Sequence, residues 1–257
     1  MKYSVAIAAE EAAGAGKKAL EGFSAVHFGD EFCQARAGSP ADLKRLKRRF
    51  PDKDFVWVTP LQAGAALERT AAGIKELHGA GLCSGFAVND LGLLKRLLSG
   101  RDKVPVSLGR VLIYNLQRSL GSPYFRELLA RAGALSFEVD SPESLGWLAE
   151  YPRAGINLHL PFGYLSHARY CQQAGEFTSL CGGLAVERVR ELASPVHGRV
   201  YLRGNAYFTD NREAAEKILG GRPGRAGCVV VPLALARRCG GKAGFDIRRV
   251  LRCAALT

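Results

Sequence analysis

The chemistry-bearing residues that stand out in this chain are its seven cysteines. Their number is odd and their spacing uneven, which argues against a disulfide framework and leaves metal binding, redox work or plain burial. Thiolates are soft ligands suited to zinc or an iron–sulfur cluster. Cys33 lies five residues beyond the apolar run that ends at Phe28. Cys171 and Cys181 fall in a long connection after a later run that ends at Leu160. Cys239 follows the last apolar run and is the best remaining candidate for a fourth ligand, with Cys253 further off near the end. Cys83 and Cys228 stand at the starts of apolar runs and read as core thiols. The chain has no Cys-x-x-Cys pair, so spacing alone leaves ligation and burial both open.

A second group of residues could move protons. His159 and His167 bracket the exit of one apolar run, and each could serve as acid, base or ligand near neutral pH, or be a satisfied structural histidine. Glu138, with Asp140 close behind, could supply acid–base carboxylates, although Asp140 also suits the cap of a following helix. Tyr164 and Arg169 follow in the same long connection. Asn89, Asp90, Arg110 and Ser166 add polar groups suited to holding a cofactor or substrate. Some motifs are absent: no Gly-x-x-x-x-Gly-Lys-Ser/Thr loop, no His-Glu-x-x-His and no Gly-x-Ser-x-Gly elbow occurs.

These residues need a frame. β-rich runs recur at 3–8, 25–28, 54–58, 85–88, 105–108, 135–139, 156–160 and 228–231. Helix-like runs alternate with them. Ser39-Pro40 opens one over 41–50, Ser122-Pro123 one over 124–132 and Ser141-Pro142-Glu143 one over 144–150, each with serine as N-cap and proline at the first helical position. Runs 91–98 and 212–219 are amphipathic. Eight strands alternating with helices predict a single (β/α)8 TIM-like barrel over 1–257, with an open doubly wound sheet as the rival. The connection 162–198 breaks the rhythm and carries two cysteines, and a hairpin at 200–202 and 206–208 follows it. In such a barrel the chemistry sits at the C-terminal strand ends, where most of the residues above fall.

The chain has 257 residues, 47% hydrophobic, with a formal net charge of +12. That excess favours an anionic partner such as RNA, an acidic small molecule or an anionic membrane surface. Its densest run, Lys44-Arg45-Leu46-Lys47-Arg48-Arg49, also reads as a solvated helix face. No run reaches the roughly 18 apolar residues of a membrane span. Glu10-Glu11 interrupts the first apolar run too early for a secretory signal, so a cytoplasmic location is expected.

Several blocks resemble the collagenase-like peptidase family (peptidase family U-32). They are Ala25–Arg36, the segment Val88-Asn89-Asp90-Leu91-Gly92, the run Val104–Arg110 and the run His159–Cys171. Met1-Lys2-Tyr3-Ser4 and the early cysteine point to its UbiV-like branch. The resemblance implies a 4Fe–4S cluster on four cysteines, with Cys33 and Cys171 at the first two positions and Cys181 at the third. The family pattern places a cysteine where Ala185 stands, so the fourth ligand would be Cys239, Cys228, Cys253 or an open iron site.

The implied function is oxygen-independent hydroxylation of a ubiquinone precursor, with prephenate as oxygen source and a related partner chain completing a heterodimer. Glu138, His159, Tyr164 and Arg169 would line the pocket, and Arg110 or Arg169 would grip a carboxylate or quinone precursor. An RNA pyrimidine hydroxylase on the same scaffold is an alternative that the basic charge favours. A peptidase or a non-catalytic accessory protein is another.

Overall fold

The computed structural model describes residues 2–62, 64–141, 148–172, 174–177, 189–211 and 227–235. Its strands are β1 (Lys2–Ile7), β2 (Ala25–Gly29), β3 (Asp54–Thr59), β4 (Gly85–Val88), β5 (Pro105–Leu108), β6 (Ala134–Val139), β7 (Gly155–His159), β8 (Phe162–His167), β9 (Tyr170–Cys171), β10 (Glu176–Phe177), β11 (Arg190–Ser194), β12 (Gly198–Arg203), β13 (Ala206–Asp210) and β14 (Cys228–Pro232). The α-helices are α1 (Ala9–Gly14), α2 (Pro40–Arg49), α3 (Ala66–Gly79), α4 (Leu91–Leu98), α5 (Arg110–Leu116) and α6 (Pro123–Leu129). Strands β1 to β7 and β14 close into a parallel barrel in the order β1-β14-β7-β6-β5-β4-β3-β2. The predicted barrel is thus the observed fold, and the open-sheet rival is excluded. The last strand closes the ring by pairing with β1 on one side and β7 on the other.

Local chemistry explains where the helices start. Ser39 caps α2 by accepting from Asp42 N–H, and Asp42 returns a bond to Ser39 N–H (2.8 Å). Asp90 caps α4 through Leu93 N–H (2.8 Å), and Ser122 caps α6. Helices α3 and α5 lack such caps and were not foreseen from the sequence. The run expected at 144–150 is described only at its end, as a 3-10 turn over Leu148–Glu150, and the run at 212–219 lies outside the described residues.

The described part of the long connection holds regular strands. It contributes β8 and β11, which join the expected hairpin strands β12 and β13 in an antiparallel sheet of order β11-β12-β13-β8. Asn205, in the β12–β13 turn, fastens this sheet to the barrel. Its Nδ2 donates to Phe32 O (2.8 Å) and to Ala168 O (2.6 Å).

Alternation along the strands decides what the barrel holds. Side chains of one parity, such as Val5, Phe28, Trp57, Phe86, Phe137 and Val229, pack outward with Leu43, Ile74, Leu77 and Leu93 of the helices in one buried cluster. The other parity points inward and includes Ser4, His27, Ser107, Glu138, Asn157 and His159, which bond to one another. Barrel interiors are ordinarily filled by branched aliphatic side chains. This one has a polar heart, and its main apolar core lies between sheet and helices. Among the described residues no helix is long and apolar enough to cross a membrane.

Two glycines let the strands approach this heart. Gly29 has φ +121°, and a Cβ there would stand 2.2 Å from Val58 O. A Cβ on Gly109 would meet the Asn89 side chain at 2.1 Å. Gly29→Ala is expected to lower stability by about 1–3 kcal/mol, since it adds both a disfavoured φ and a backbone collision. Urea denaturation checks this, and an unchanged midpoint would refute it.

Candidate active site

The site begins with Glu138, near the C-terminal end of β6 and wholly inside the barrel. Its Oε1 accepts from Ser107 Oγ (2.6 Å) and Asn157 Nδ2 (2.7 Å). Its Oε2 meets His159 Nε2 at 2.6 Å, and His27 Nε2 lies 3.5 Å from the same oxygen. His27 is held from its other side by Ser4 Oγ, 2.7 Å from Nδ1. Burial opposes ionisation of Glu138, but the charge of His27 and hydrogen bonds from His159 and His27 outweigh it. The carboxyl is held well below its ordinary value.

His159 is displaced in the complementary sense. Burial, then the nearby Arg110 charge, push its pKa below the ordinary imidazole value, against the pull of Glu138 and Glu31. A neutral imidazole beside an ionised carboxylate keeps its proton on Nε2, donating to Glu138. Nδ1 is then a buried lone pair, and it has no hydrogen-bond partner among the described residues.

Above this pair lies a layer of ions. Glu31 follows β2 and receives Arg110 Nε on both oxygens (3.2 and 3.0 Å); its Oε1 stands 3.9 Å from His159 Nε2. Arg110 also reaches Asp140 Oδ2 at 3.6 Å and lies over the rings of Phe32 and Phe208, 5.6 and 5.8 Å from their centroids. Beside it, Asp30 takes Phe32 N–H and Cys33 N–H on Oδ1 and Arg36 Nε (3.2 Å) on Oδ2, with Arg203 Nη1 3.7 Å away. A cavity of about 30 Å³ is lined by His27, Asp30, Glu31, Arg110, His159 and Arg203 among others. It has room for one or two waters.

The residues singled out from sequence divide. Glu138, His159 and Arg110 come together here. Arg110 is not free to grip a carboxylate, because Glu31 and Asp140 already occupy it. Tyr164 stands at the mouth, stacked on Phe32 (5.1 Å), with its hydroxyl 2.6 Å from His167 Nδ1; burial pushes its pKa up to about 12. Ser166 and Arg169 are exposed. Asn89 is engaged in the frame, donating to Thr59 O (3.0 Å) and accepting from Val111 N–H (3.0 Å). Asp90 caps α4 and also accepts from Gln62 N–H. Sequence reasoning missed His27, Ser4, Ser107, Asn157 and Arg203. The parity shared by Ser4, His27, Ser107, Glu138, Asn157 and His159 in their strands was the available signal.

Of the four cysteines expected to hold a cluster, only Cys33 and Cys171 lie among the described residues. Among the described residues no group of three or more His, Cys, Asp or Glu side chains could hold a metal ion. Cys33 is buried, and burial followed by the Asp30 charge pushes its thiol up to about 12. Cys83 and Cys228 are buried thiols likewise pushed up to about 12, chiefly by burial, in keeping with core roles. Cys171 is buried on β9, while Cys181, Cys239 and Cys253 lie outside the described residues.

No family model matches the chain, and no curated protein matches it. Solved structures do superpose over its whole length. YKL-39, crystallised in the presence of chitooligosaccharides, aligns with a TM-score of 0.50 at 8% identity, over 100% of this chain and 99% of that one. A glycoside hydrolase family 18 chitinase from Cycas revoluta gives 0.47 at 11% identity, over 99% and 98%. A family 18 N-acetylglucosaminidase from Paenibacillus barengoltzii gives 0.41 at 8%, over 98% of each chain.

At these identities the likeness is one of barrel fold. The expected kinship is corrected on this footing: no family model matches the chain, and the structure that aligns at a TM-score of 0.50 is YKL-39 and not a collagenase-like peptidase of family U-32. The iron–sulfur hydroxylase reading, with its ubiquinone and RNA variants, rested on that kinship and is set aside with it.

Proposed function

We propose that this chain is an enzyme that activates water at the mouth of its barrel, with His159 as general base and Glu138 as the carboxylate that orients it. The observation that carries this reading is the buried, unpartnered Nδ1 of a neutral His159, on a residue lining a water-sized cavity. A base held by an ionised orienter is the arrangement from which nucleophiles are activated. Glu31 and Arg110 stand at the same cavity, where they can position the water and meet the polar group it attacks. The cavity is far below the 300 Å³ or more of ordinary ligand pockets, so the substrate presents one small reactive group to it.

The test has two arms. Nitrogen NMR of His159 should show a neutral ring protonated at Nε2 at pH 7; an imidazolium there would overturn the proposal. Hydrolysis of a panel of esters, amides and glycosides, chitooligosaccharides included because of YKL-39, should find turnover that His159→Gln lowers by about 10²–10⁴. Turnover that survives His159→Gln would equally refute it.

A further inference from the structure

A second opening lies outside the barrel, between the N-terminal ends of α2 and α3, and has a volume of about 350 Å³. That is the size of a small-molecule site, and it is separate from the water-sized cavity at the barrel mouth. One side is apolar: Trp57, facing outward from β3, with Ala37, Pro40 and Ala66. The Trp57 ring is fixed by its Nε1–H, which donates to Ala37 O (3.0 Å). The other side is polar and equally fixed. Gln34 Nε2 donates to Leu61 O (2.8 Å), Gln62 Nε2 to Pro60 O (3.0 Å), and Thr70 Oγ1 to Gln62 Oε1 (3.3 Å). These bonds leave Gln34 Oε1 and the second amide hydrogen of Gln62 for a ligand.

Charge is placed at one point. Arg69 lies on the lining and is exposed. Other cations nearby are paired: Lys44 and Arg45 of α2 with Glu76 and Asp42, and Arg96 of α4 with Glu68. No carboxylate among the described residues pairs with Arg69. The N-terminus of α2 is already closed by its own capping box, in which Asp42 sits against Ser39, so an anion's place is at Arg69 and not at the helix end.

We infer that this cleft binds a small amphipathic carboxylate, with its apolar body on Trp57, its polar edge on Gln34 and Gln62, and its carboxylate paired bidentately with Arg69. The site is independent of the water-activating residues.

Benzoate is the probe, with benzyl alcohol as its uncharged counterpart, and the reporter is the Trp57 indole N–H resonance. The chain has two tryptophans, so Trp147→Phe assigns it. Benzoate should shift that resonance saturably and bind more tightly than benzyl alcohol. Arg69→Ala, an exposed change that leaves the fold intact, should weaken benzoate at least about tenfold, the factor for losing a hydrogen bond to a charged group. Thr70→Phe, which fills the cleft, should abolish the shift. Equal affinity for the two probes, a non-saturating response, or unchanged affinity in Arg69→Ala would overturn the inference. So would loss of benzoate binding in His159→Gln with Arg69→Ala unaffected, because benzoate would then sit at the barrel mouth.

Discussion

Arg110→Ala is expected to lower the free energy of unfolding by about 3–5 kcal/mol, the loss typical when one partner is removed from a buried ion pair. Arg110 is 7% exposed and its main partner Glu31 is 6% exposed, so solvent screens neither charge. Without Arg110, Glu31 must remain a buried, uncompensated carboxylate or take up a proton. The variant also strips the guanidinium from the faces of Phe32 and Phe208, the link between the barrel mouth and the antiparallel sheet. The double variant Glu31→Gln/Arg110→Met removes both charges and should recover much of the loss. Denaturant unfolding of Glu31→Gln, Arg110→Met and the double variant closes the cycle. Additive losses would show that Glu31 and Arg110 act independently, against the geometry described.

Glu138→Gln should reduce turnover by about 10³, because an amide can turn either its oxygen or its NH2 toward His159 and no longer fixes the ring tautomer. Its second signature is acid stability. The folded pKa of Glu138 is depressed, so its stabilisation is complete above the ordinary glutamate value of 4.5 and is lost as pH falls below it. The folded pKa of His159 is also lowered, from 6.5, so as pH falls through that value the unfolded chain takes up a proton that the folded chain refuses. Both effects weaken the fold in acid, first below about pH 6.5 and again below 4.5. Glu138→Gln removes the lower step. Denaturation at pH 8, 6 and 4 reads both, and a wild-type stability that is flat across this range would refute the assignment.

The barrel was legible because each strand is a short apolar run and two helices, α2 and α6, begin at a serine–proline pair, signals that act within a few residues. All eight barrel strands fall where those runs stand, shifted by a residue or so at their ends. Strands β8 and β11 were not legible. Phe162–His167 and Arg190–Ser194 mix exposed polar with apolar residues, and they become strands by pairing with β13 and β12. His27 was hidden because Ala-Val-His-Phe-Gly reads as one buried run, although its parity turns the imidazole inward.

The ring order carries a consequence for synthesis. β1 is made before the other barrel strands, yet one of its two neighbours, β14, begins only at Cys228. Until that segment leaves the ribosome, β1 and β7 present open edges with unpaired backbone groups, and the polar interior is an unsealed trough. The emerging chain therefore passes through an open seven-stranded sheet prone to pairing with other chains, and truncation before Cys228 should yield aggregates in place of a smaller folded barrel.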